Sequence, residues 1–301
     1  MNKLGFMYRR KDNFQWRNVK PLVSYKIARA LGANADMTQH LNNPIMIFGC
    51  ARSGTTTLKE VLSGHQRIVP VPFEANELWH PALYPWRSTE IESPPIWGDP
   101  FVFTDNSNKH RLEADIQKLR SAFGAYNYLQ PSSTVLLKSA MVAFMIPEML
   151  QILPNMKLVH LHRDGRAVAL SLAKKQWIEA NKYEDIHRSR GYWVSFDELL
   201  ERMAHHWVEH IDEIERRDEQ MGLTQKGTML TVNYEGFCSS PKKTAEEIVK
   251  FTGISTDGFD IERYAEVKET NYKYSNELSE AQLDAITSIM APTLQKLGYK
   301  V

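Results

Sequence analysis

Short apolar runs alternate with amphipathic segments along this chain. Each run is bounded by polar residues, glycine or proline, which is the pattern of buried strands. The runs are Ile45–Phe48, Ile68–Val71, Thr134–Leu137, Lys157–His162 and Met229–Val232. Between them apolar residues recur at helical spacing, as in 112–126 and 195–220, which predicts amphipathic helices. Strands that alternate with helices predict an α/β fold with a mostly parallel central sheet, covered by helices on both faces.

The remaining helices are indicated by their end signals. Ser279 and Gln282 have the spacing of a capping box, and Ser240 precedes a proline that suits the first helical position. We also expect a helix over 141–153, kinked at Pro147, and helices near 22–31 and from 167 onwards. No internal repeat interrupts this order.

The most informative stretch is Pro44–Leu58, PIMIFGCARSGTTTL. A strand, a loop of small residues and a helix N-terminus direct amide groups and the helix dipole at one spot, which favours an anion there. The spacing from Gly49 to Gly54 matches the start of a Walker A loop, but Thr55 stands where that motif has its lysine. The cation is instead Arg52. The loop therefore suits a phosphate-like group better than magnesium-dependent handling of a triphosphate.

A second stretch, LVHLHRDGRAVALSL, has a similar layout. Arg163 follows a predicted strand, and Ser171 lies about two helical turns further on. Ligands of parallel sheets bind at the carboxyl ends of the strands. We therefore expect the loop after Phe48, the loop that carries Glu74, the strand end at Lys138 and Arg163 to converge on one edge.

Composition narrows the function classes. A chain of 301 residues is long enough for one large α/β domain, and a net charge of +1 predicts no strong attraction to nucleic acid or to a membrane surface. Cys50 and Cys238 form no CxxC pair, which favours a reducing compartment. We see neither a secretory signal nor an apolar run long enough to cross a bilayer, so we expect a cytoplasmic protein.

The two motifs together resemble those of sulfotransferases that use 3′-phosphoadenosine 5′-phosphosulfate (PAPS). Many members carry PRSGTT after the first strand, where this chain has ARSGTT, and RDGRA followed by VALS is similar to a second family pattern. Weaker likenesses (LLKSAM, VNYEGFCSSP and a final LGY) extend the resemblance over 44–299. It is poor over 81–130 and 175–225. We interpret 1–301 as one sulfotransferase domain with a P-loop-like core, an N-terminal extension at 1–43 and a helical acceptor-site cap within 175–225.

The resemblance implies transfer of the sulfuryl group of PAPS to a hydroxyl group, without a metal. Its implied nucleotide-binding residues are Arg52, Ser53, Gly54, Thr55, Thr56, Thr57, Arg163, Ser171 and Tyr234. Within this set, the resemblance implies that Arg163 and Ser171 bind the 3′-phosphate. Arg52 and the loop amides can stabilise the leaving group. Lys138 either reaches the transferring group or is a solvated lysine at a strand end.

The expected catalytic base is Glu74, because related glycan and tyrosine sulfotransferases place a glutamate shortly after the second strand. A buried carboxylate there can accept the proton of the acceptor. Glu77 and His80 are competing candidates. Cytosolic phenol and steroid sulfotransferases use a histidine further along, and His110 offers no clear motif for that role.

Two other function classes stay open at this stage. One is an ATP-dependent P-loop phosphotransferase, against which the missing Walker lysine argues. The other is a non-catalytic protein that binds PAPS or its product, 3′-phosphoadenosine 5′-phosphate (PAP). For an enzyme, carbohydrate, lipid and small-molecule acceptors all remain possible, and the sequence is silent on oligomeric state.

Several histidines mimic metal ligands in the sequence. His160 and His162 alternate on one strand face, but no third ligand is placed beside them, so we interpret them as core histidines with satisfied hydrogen bonds. His205 and His206 point to different helix faces. The apolar stripe that contains Trp207 is interpreted as core.

Overall fold

The computed structural model describes residues 19–71, 75, 109–131, 133–140, 142–182, 184–260, 264 and 267–301. Within these ranges the strands are β1 (Ile45–Phe48), β2 (Ile68–Pro70), β3 (Thr134–Lys138), β4 (Lys157–His162) and β5 (Met229–Asn233). The longer helices are α1 (Val19–Asn34), α2 (Thr55–Leu62), α3 (Lys109–Leu129), α5 (Gly165–Lys182), α7 (Phe196–Met221), α9 (Pro241–Phe251) and α11 (Glu280–Lys296). The shorter helices are α4 (Ile146–Ile152), α6 (Glu184–Ser189), α8 (Tyr234–Ser239) and α10 (Tyr272–Glu277).

The five strands form a single sheet in the order β2-β3-β1-β4-β5. Every neighbouring pair is parallel, so the carboxyl ends of all five strands lie along one edge. In the centre of the sheet, Ile47 of β1 is in register with Lys138 of β3 and with Val159 of β4. The predicted α/β fold with a parallel sheet is confirmed.

Both faces of the sheet are covered. Met46 and Phe48 of β1 belong to a core cluster that includes residues of α3 and α4, whereas Ile45 and Ile47 belong to a cluster with residues of α2 and α9. This division follows from the period of two in a strand, which sends successive side chains to opposite faces. A strand buried on both faces must be apolar at every position, which is why β1 is recognisable as a short uninterrupted run.

A third core cluster joins α5, α7 and α11 and contains the fully buried Trp207. The interpretation of the Trp207 stripe as core is therefore confirmed. Gly165, the first residue of α5, makes this packing possible. A Cβ atom there would lie 2.6 Å from the Trp207 ring and 2.5 Å from Met290 Sδ.

The helix ends agree with the sequence signals in most places. Ser279 and Gln282 form the expected capping box at the start of α11, and Ser240 is the N-cap of α9, although its side chain makes no capping bond. The expected kinked helix over 141–153 is different. A 3-10 turn at Val142–Met145 precedes α4, and Pro147 lies in the first turn of that helix. A proline is tolerated there because the first-turn N–H groups have no intrahelical acceptor, so it starts a helix instead of bending one.

The described part of the N-terminal extension packs on α3. Ser121 Oγ of α3 donates to the carbonyl oxygen of Ala35 at 2.6 Å and accepts from the amide of Met37 at 3.0 Å. Gly32 lets α1 approach closely, because a Cβ atom at that position would be 2.6 Å from the backbone of Ala122. None of the described helices combines the length and apolarity needed to cross a bilayer.

Candidate functional site

The loop after β1 turns sharply between Gly49 and Gly54. The amide of Ser53 donates to the carbonyl oxygen of Cys50 at 3.1 Å, so this amide closes the turn. Arg52 has a φ angle of +78°, and among the described residues it is the one non-glycine residue with a positive φ. Such a backbone conformation costs about 1–3 kcal/mol and tends to occur at functional sites.

Gly54 is the N-cap of α2 and must be a glycine for two reasons. Its φ angle of +93° lies in the left-handed region, which side chains disfavour. A Cβ atom on Gly54 would also lie 2.6 Å from Cδ2 of the Tyr234 ring. Tyr234 begins α8, and its hydroxyl donates to the carbonyl oxygen of Lys268 at 3.1 Å. The aromatic ring therefore packs directly on the loop.

The first turn of α2 presents backbone N–H groups at the carboxyl edge of the sheet. Leu58 makes the first hydrogen bond of this helix, to the carbonyl oxygen of Gly54 at 3.1 Å. The amides of Thr55, Thr56 and Thr57 precede that bond and have no acceptor within the helix. Together with the positive end of the helix dipole, they form a cradle suited to an anion.

Lys138 lies over this first turn. It is the last residue of β3, its side chain is 7% exposed, and its Nζ donates to Thr56 Oγ1 at 3.2 Å. The alternative interpretation as a solvated lysine at a strand end is therefore wrong. A buried ammonium group beside the cradle adds positive charge where desolvation strengthens its interaction with an anion.

Arg163 reaches the same loop from the end of β4. Its Nη1 donates to the carbonyl oxygen of Arg52 at 3.1 Å, and its guanidinium carbon lies 4.4 Å from the centre of the Tyr234 ring. Its Nε donates to Asn271 Oδ1 at 2.7 Å, and its Nη2 to Thr270 Oγ1 at 3.0 Å. The side chain is 7% exposed and is held on several sides.

A hydrogen bond between two side chains also joins the two sequence motifs. Arg52 Nε donates to Ser171 Oγ on α5 at 2.9 Å. This bond uses the hydroxyl oxygen as an acceptor, so the O–H of Ser171 can still donate to a ligand. The structure thus brings together Arg52, Arg163, Ser171 and Tyr234, which are far apart in sequence.

Glu235 binds Asn271, the residue that accepts from Arg163 Nε, and no sequence spacing indicated this role. Its carboxylate accepts from Asn271 Nδ2 at 2.5 Å, from the amide of Asp164 at 3.1 Å and from the Tyr299 hydroxyl at 2.9 Å. Burial, reinforced by the negative charge of Glu235, raises the pKa of Tyr299. Burial lowers the pKa of His162, whose Nδ1 lies 3.2 Å from the same hydroxyl, although Glu235 acts in the opposite direction.

The candidate catalytic bases are not among the residues whose side chains the structure describes. Glu74, Glu77 and His80 lie outside the described residues, and so does the side chain of His110, whose backbone belongs to α3. His160 and His162 are buried, as expected for core histidines, and His162 Nδ1 is near the Tyr299 hydroxyl, but Nε2 of His160 has no hydrogen-bond partner among the described residues. The alternation of His205 and His206 is as expected, with His205 exposed and His206 buried.

The segment expected to cap the acceptor site carries an aromatic cluster. The Trp177 ring lies 5.5 Å from the Trp193 ring and 5.7 Å from the Phe196 ring, and Arg188 lies 4.3 Å from the Trp193 ring. The cluster connects the end of α5, α6 and the start of α7. Tryptophan and arginine side chains of this kind are common at binding surfaces.

The arrangement provides two groups of anion-binding donors at the loop after β1. One group has the first-turn amides of α2, Thr56 and Lys138, and the other has Arg163 and Ser171, both of which contact Arg52. Cations and N–H donors of this kind bind phosphate or sulfonate oxygens well, because charge-assisted hydrogen bonds are about twice as strong as neutral ones.

Comparisons with known proteins show the family and the fold of the chain. A family model described as the sulfotransferase family matches residues 44–258. A sulfotransferase from Alicyclobacillus acidocaldarius is 16% identical, with 85% of this chain and 94% of that chain covered and a TM-score of 0.51. The sulfotransferase domain of the curacin biosynthetic pathway is 15% identical (87% and 99% covered, TM-score 0.54), and a sulfotransferase from Mycobacterium avium is 12% identical (94% and 86% covered, TM-score 0.54). No curated protein matches the chain.

Proposed function

Because the chain belongs to the sulfotransferase family, we propose that it transfers the sulfuryl group of PAPS to a hydroxyl group of an acceptor. The observation that carries this proposal is the junction of the two motifs, in which Arg163 donates to the Arg52 carbonyl and Arg52 donates to Ser171. A nucleotide with phosphates at both its 3′ and 5′ positions requires two anion sites on one surface. The two free cysteines also support the expected cytoplasmic location.

The 3′-phosphate is assigned to Arg163 and Ser171. A guanidinium group has five N–H donors, and three of those on Arg163 are used by Arg52, Thr270 and Asn271. The other two, with the Ser171 hydroxyl, provide donors for phosphate oxygens. The stacking of Arg163 on Tyr234 fixes the orientation of the guanidinium plane in advance.

The 5′-phosphosulfate end is assigned to the cradle. During transfer the acceptor oxygen bonds to sulfur while the bond from sulfur to the bridging oxygen breaks, and negative charge develops on the 5′-phosphate. The amides of Thr55–Thr57, Lys138 and Arg52 are the groups that stabilise this charge. Preorganised donors of this kind are worth roughly 3–4 kcal/mol each to a transition state.

The proton of the acceptor hydroxyl is assigned to Glu74. This residue follows β2, whose carboxyl end lies on the same sheet edge as the cradle. The aromatic cluster around Trp177, Trp193 and Phe196 is our candidate for the acceptor-facing surface. Its rings suit a carbohydrate, a lipid or a small apolar alcohol equally, so the acceptor class is left to experiment.

The direct test is transfer of label from [³⁵S]PAPS to a panel of glycans, lipids and small alcohols, with the product separated from PAPS. We expect label on at least one acceptor, and no phosphate transfer from ATP in the presence of magnesium. Magnesium-dependent phosphorylation with no sulfate transfer would overturn the proposal. Binding of PAP without turnover of any acceptor would favour the non-catalytic binder instead.

A further inference from the structure

A buried cluster of one cysteine and two histidines connects the anion-binding loop after β1 to helix α7. Cys50 is the second residue of that loop, and His206 and His210 are one helical turn apart on α7. The Cys50 Sγ and one ring nitrogen of each histidine all lie within 4.8 Å of one another. The exposed fraction is 1% for Cys50, 2% for His206 and 1% for His210.

The polar atoms of this cluster lack ordinary partners. Nδ1 of His206 and both ring nitrogens of His210 are buried and have no hydrogen bond to any residue that the structure describes. Leaving a buried polar atom without a partner is unfavourable, and native proteins keep few such atoms unless they serve a function. Three such atoms lie on two neighbouring rings, and each ring has one nitrogen close to the Cys50 thiol, which calls for a common explanation.

We propose that Cys50, His206 and His210 bind a Zn²⁺ ion as three ligands of a tetrahedral site. A thiolate and two imidazoles are donors that zinc prefers over the hard cations Mg²⁺ and Ca²⁺. Histidines at positions i and i+4 of one helix present their rings on the same face, which is a common way to bind zinc. This site is separate from the nucleotide cradle, and it goes beyond the proposed sulfuryl transfer, which needs no metal.

Binding has a defined chemical balance. Zn²⁺ takes the place of the thiol proton of Cys50, which is released to solvent, and the two imidazoles bind as neutral rings. Burial lowers the pKa of both histidines and so favours neutral rings, whereas it raises the pKa of the Cys50 thiol, whose proton the ion must displace. Zinc bonds are about 2.0–2.3 Å long, so donors to one ion lie only a few ångströms apart, which is compatible with three atoms that are all within 4.8 Å of one another.

The position of the site also links zinc binding to the anion-binding loop. Cys50 lies two residues before Arg52, whose backbone is strained and whose carbonyl oxygen binds Arg163. A metal bond from Cys50 to α7 would fix the loop to the helix that carries the core tryptophan Trp207. We therefore expect removal of the metal to weaken PAP binding, because the loop would lose part of its preorganisation.

The first test uses the wild-type full-length protein. We expect about one equivalent of zinc by elemental analysis after purification without chelator, a lower melting temperature after treatment with a chelator, and recovery on adding Zn²⁺. In the metal-free protein, Co²⁺ should give the charge-transfer absorption of a thiolate ligand. If the protein contains no stoichiometric metal and Co²⁺ gives no such absorption, the proposal is wrong, whatever the variants do.

The second test identifies the ligands. Cys50→Ser should abolish the thiolate absorption of the Co²⁺ form, and His206→Gln and His210→Gln should each weaken Co²⁺ binding at least tenfold. Cys238→Ser and His205→Gln are the matched controls, since they change the other cysteine and the exposed neighbour of His206. Both controls should bind Co²⁺ like the wild type. A thiolate absorption that survives in Cys50→Ser but disappears in Cys238→Ser would overturn the assignment.

Discussion

At the scale of single residues, Arg163 is the clearest test of how the nucleotide is recognised. Arg163→Ala should weaken binding of PAP while leaving adenosine 5′-phosphosulfate, which has no 3′-phosphate, nearly unaffected. A charge-assisted hydrogen bond contributes about 1.5–3 kcal/mol, so we expect a loss of roughly 10- to 150-fold in calorimetric titrations.

The control for this prediction comes from the partners of Arg163. Asn271→Ala removes the acceptor at Nε but keeps the charge and the stacking on Tyr234, so it should reduce PAP affinity less. Equal losses for both nucleotides in Arg163→Ala would mean that Arg163 acts only by supporting the Arg52 carbonyl.

Glu74→Gln tests the base. Glutamine keeps the size of the side chain but cannot accept a proton, so sulfate transfer should fall by about 10²–10⁴-fold while PAP binding stays near wild type. Glu77→Gln and His80→Ala are measured in parallel. Normal turnover in Glu74→Gln, with loss of turnover in either of the others, would move the base to that residue.

Some residues of the candidate sites could be predicted from the sequence, and others could not. Arg52 and Arg163 could be selected because each follows a strand, and Ser171 because of its spacing from Arg163, and the structure brings the three into contact. The cluster of Cys50 with His206 could not, because 156 positions separate the two in sequence and no local spacing links them. The helical spacing of His206 and His210 was the one available signal.

At the scale of elements, Gly54 connects the loop to α8. Gly54→Ala should destabilise the protein and reduce PAP binding, because it combines a left-handed φ angle with a clash against the Tyr234 ring. Gly227→Ala is the matched control, since Gly227 has a φ of +64° but open space around its Cβ position. Strain alone costs about 1–2 kcal/mol.

Urea denaturation of both variants measures the difference. We expect Gly54→Ala to lose more stability than Gly227→Ala, and only Gly54→Ala to lose PAP affinity. Equal losses of stability, with nucleotide binding intact in both, would show that the ring contact has no role in shaping the cradle.

Helices and strands were predictable where the residues of the element itself determine its bounds. The bounds of β1 were readable because a strand in the centre of a parallel sheet is apolar on both faces. β4 contains two histidines, and its apolar residues and the polar residues that follow it made it recognisable. The segment around Pro147 was not, because a proline kinks a helix interior but suits a first turn, and the local sequence does not say at which residue the helix begins.

At the scale of the whole molecule, the free energy of unfolding should fall at alkaline pH because Tyr299 ionises. The folded protein raises the pKa of this phenol by burial and by the nearby charge of Glu235. Above pH 10 the unfolded chain loses the proton that the folded chain keeps, so stability falls as pH rises, by up to about 1.4 kcal/mol per pH unit.

Tyr299→Phe should reduce this slope in urea denaturation between pH 9.5 and about 11, and should cost about 1 kcal/mol at pH 7 from the lost hydrogen bond. The exposed Tyr272→Phe is the control and should keep the wild-type slope. An unchanged slope in Tyr299→Phe would mean that the phenol ionises as easily in the folded protein as in the unfolded chain.

The whole-molecule arrangement depends on contacts that no short window of sequence contains. Arg163 meets Asn271 across 108 positions and the Arg52 carbonyl across 111. The parallel topology predicted that the motifs share an edge, since all strand ends point the same way. It could not predict which C-terminal residues close around Arg163, because the segment from Lys268 to Asn271 belongs to no strand.

The last prediction compares the binding of PAP with that of ATP, in order to distinguish the proposed sulfotransferase from an ATP-dependent phosphotransferase. PAP should raise the melting temperature of the full chain in buffer without magnesium, and ATP at the same concentration should raise it less. A ligand present at 100 times its Kd adds about 2.7 kcal/mol of stability, which for a chain of this size corresponds to a shift of a few degrees. Magnesium should be omitted from the buffer and no chelator added, because a chelator would also remove the proposed zinc.

Arg163→Ala should reduce the shift in melting temperature produced by PAP, whereas Cys238→Ser should leave it unchanged. A shift that appears only with ATP and magnesium would contradict the assignment of both anion sites, since the cradle would then be acting as a triphosphate loop despite Thr55 at the lysine position.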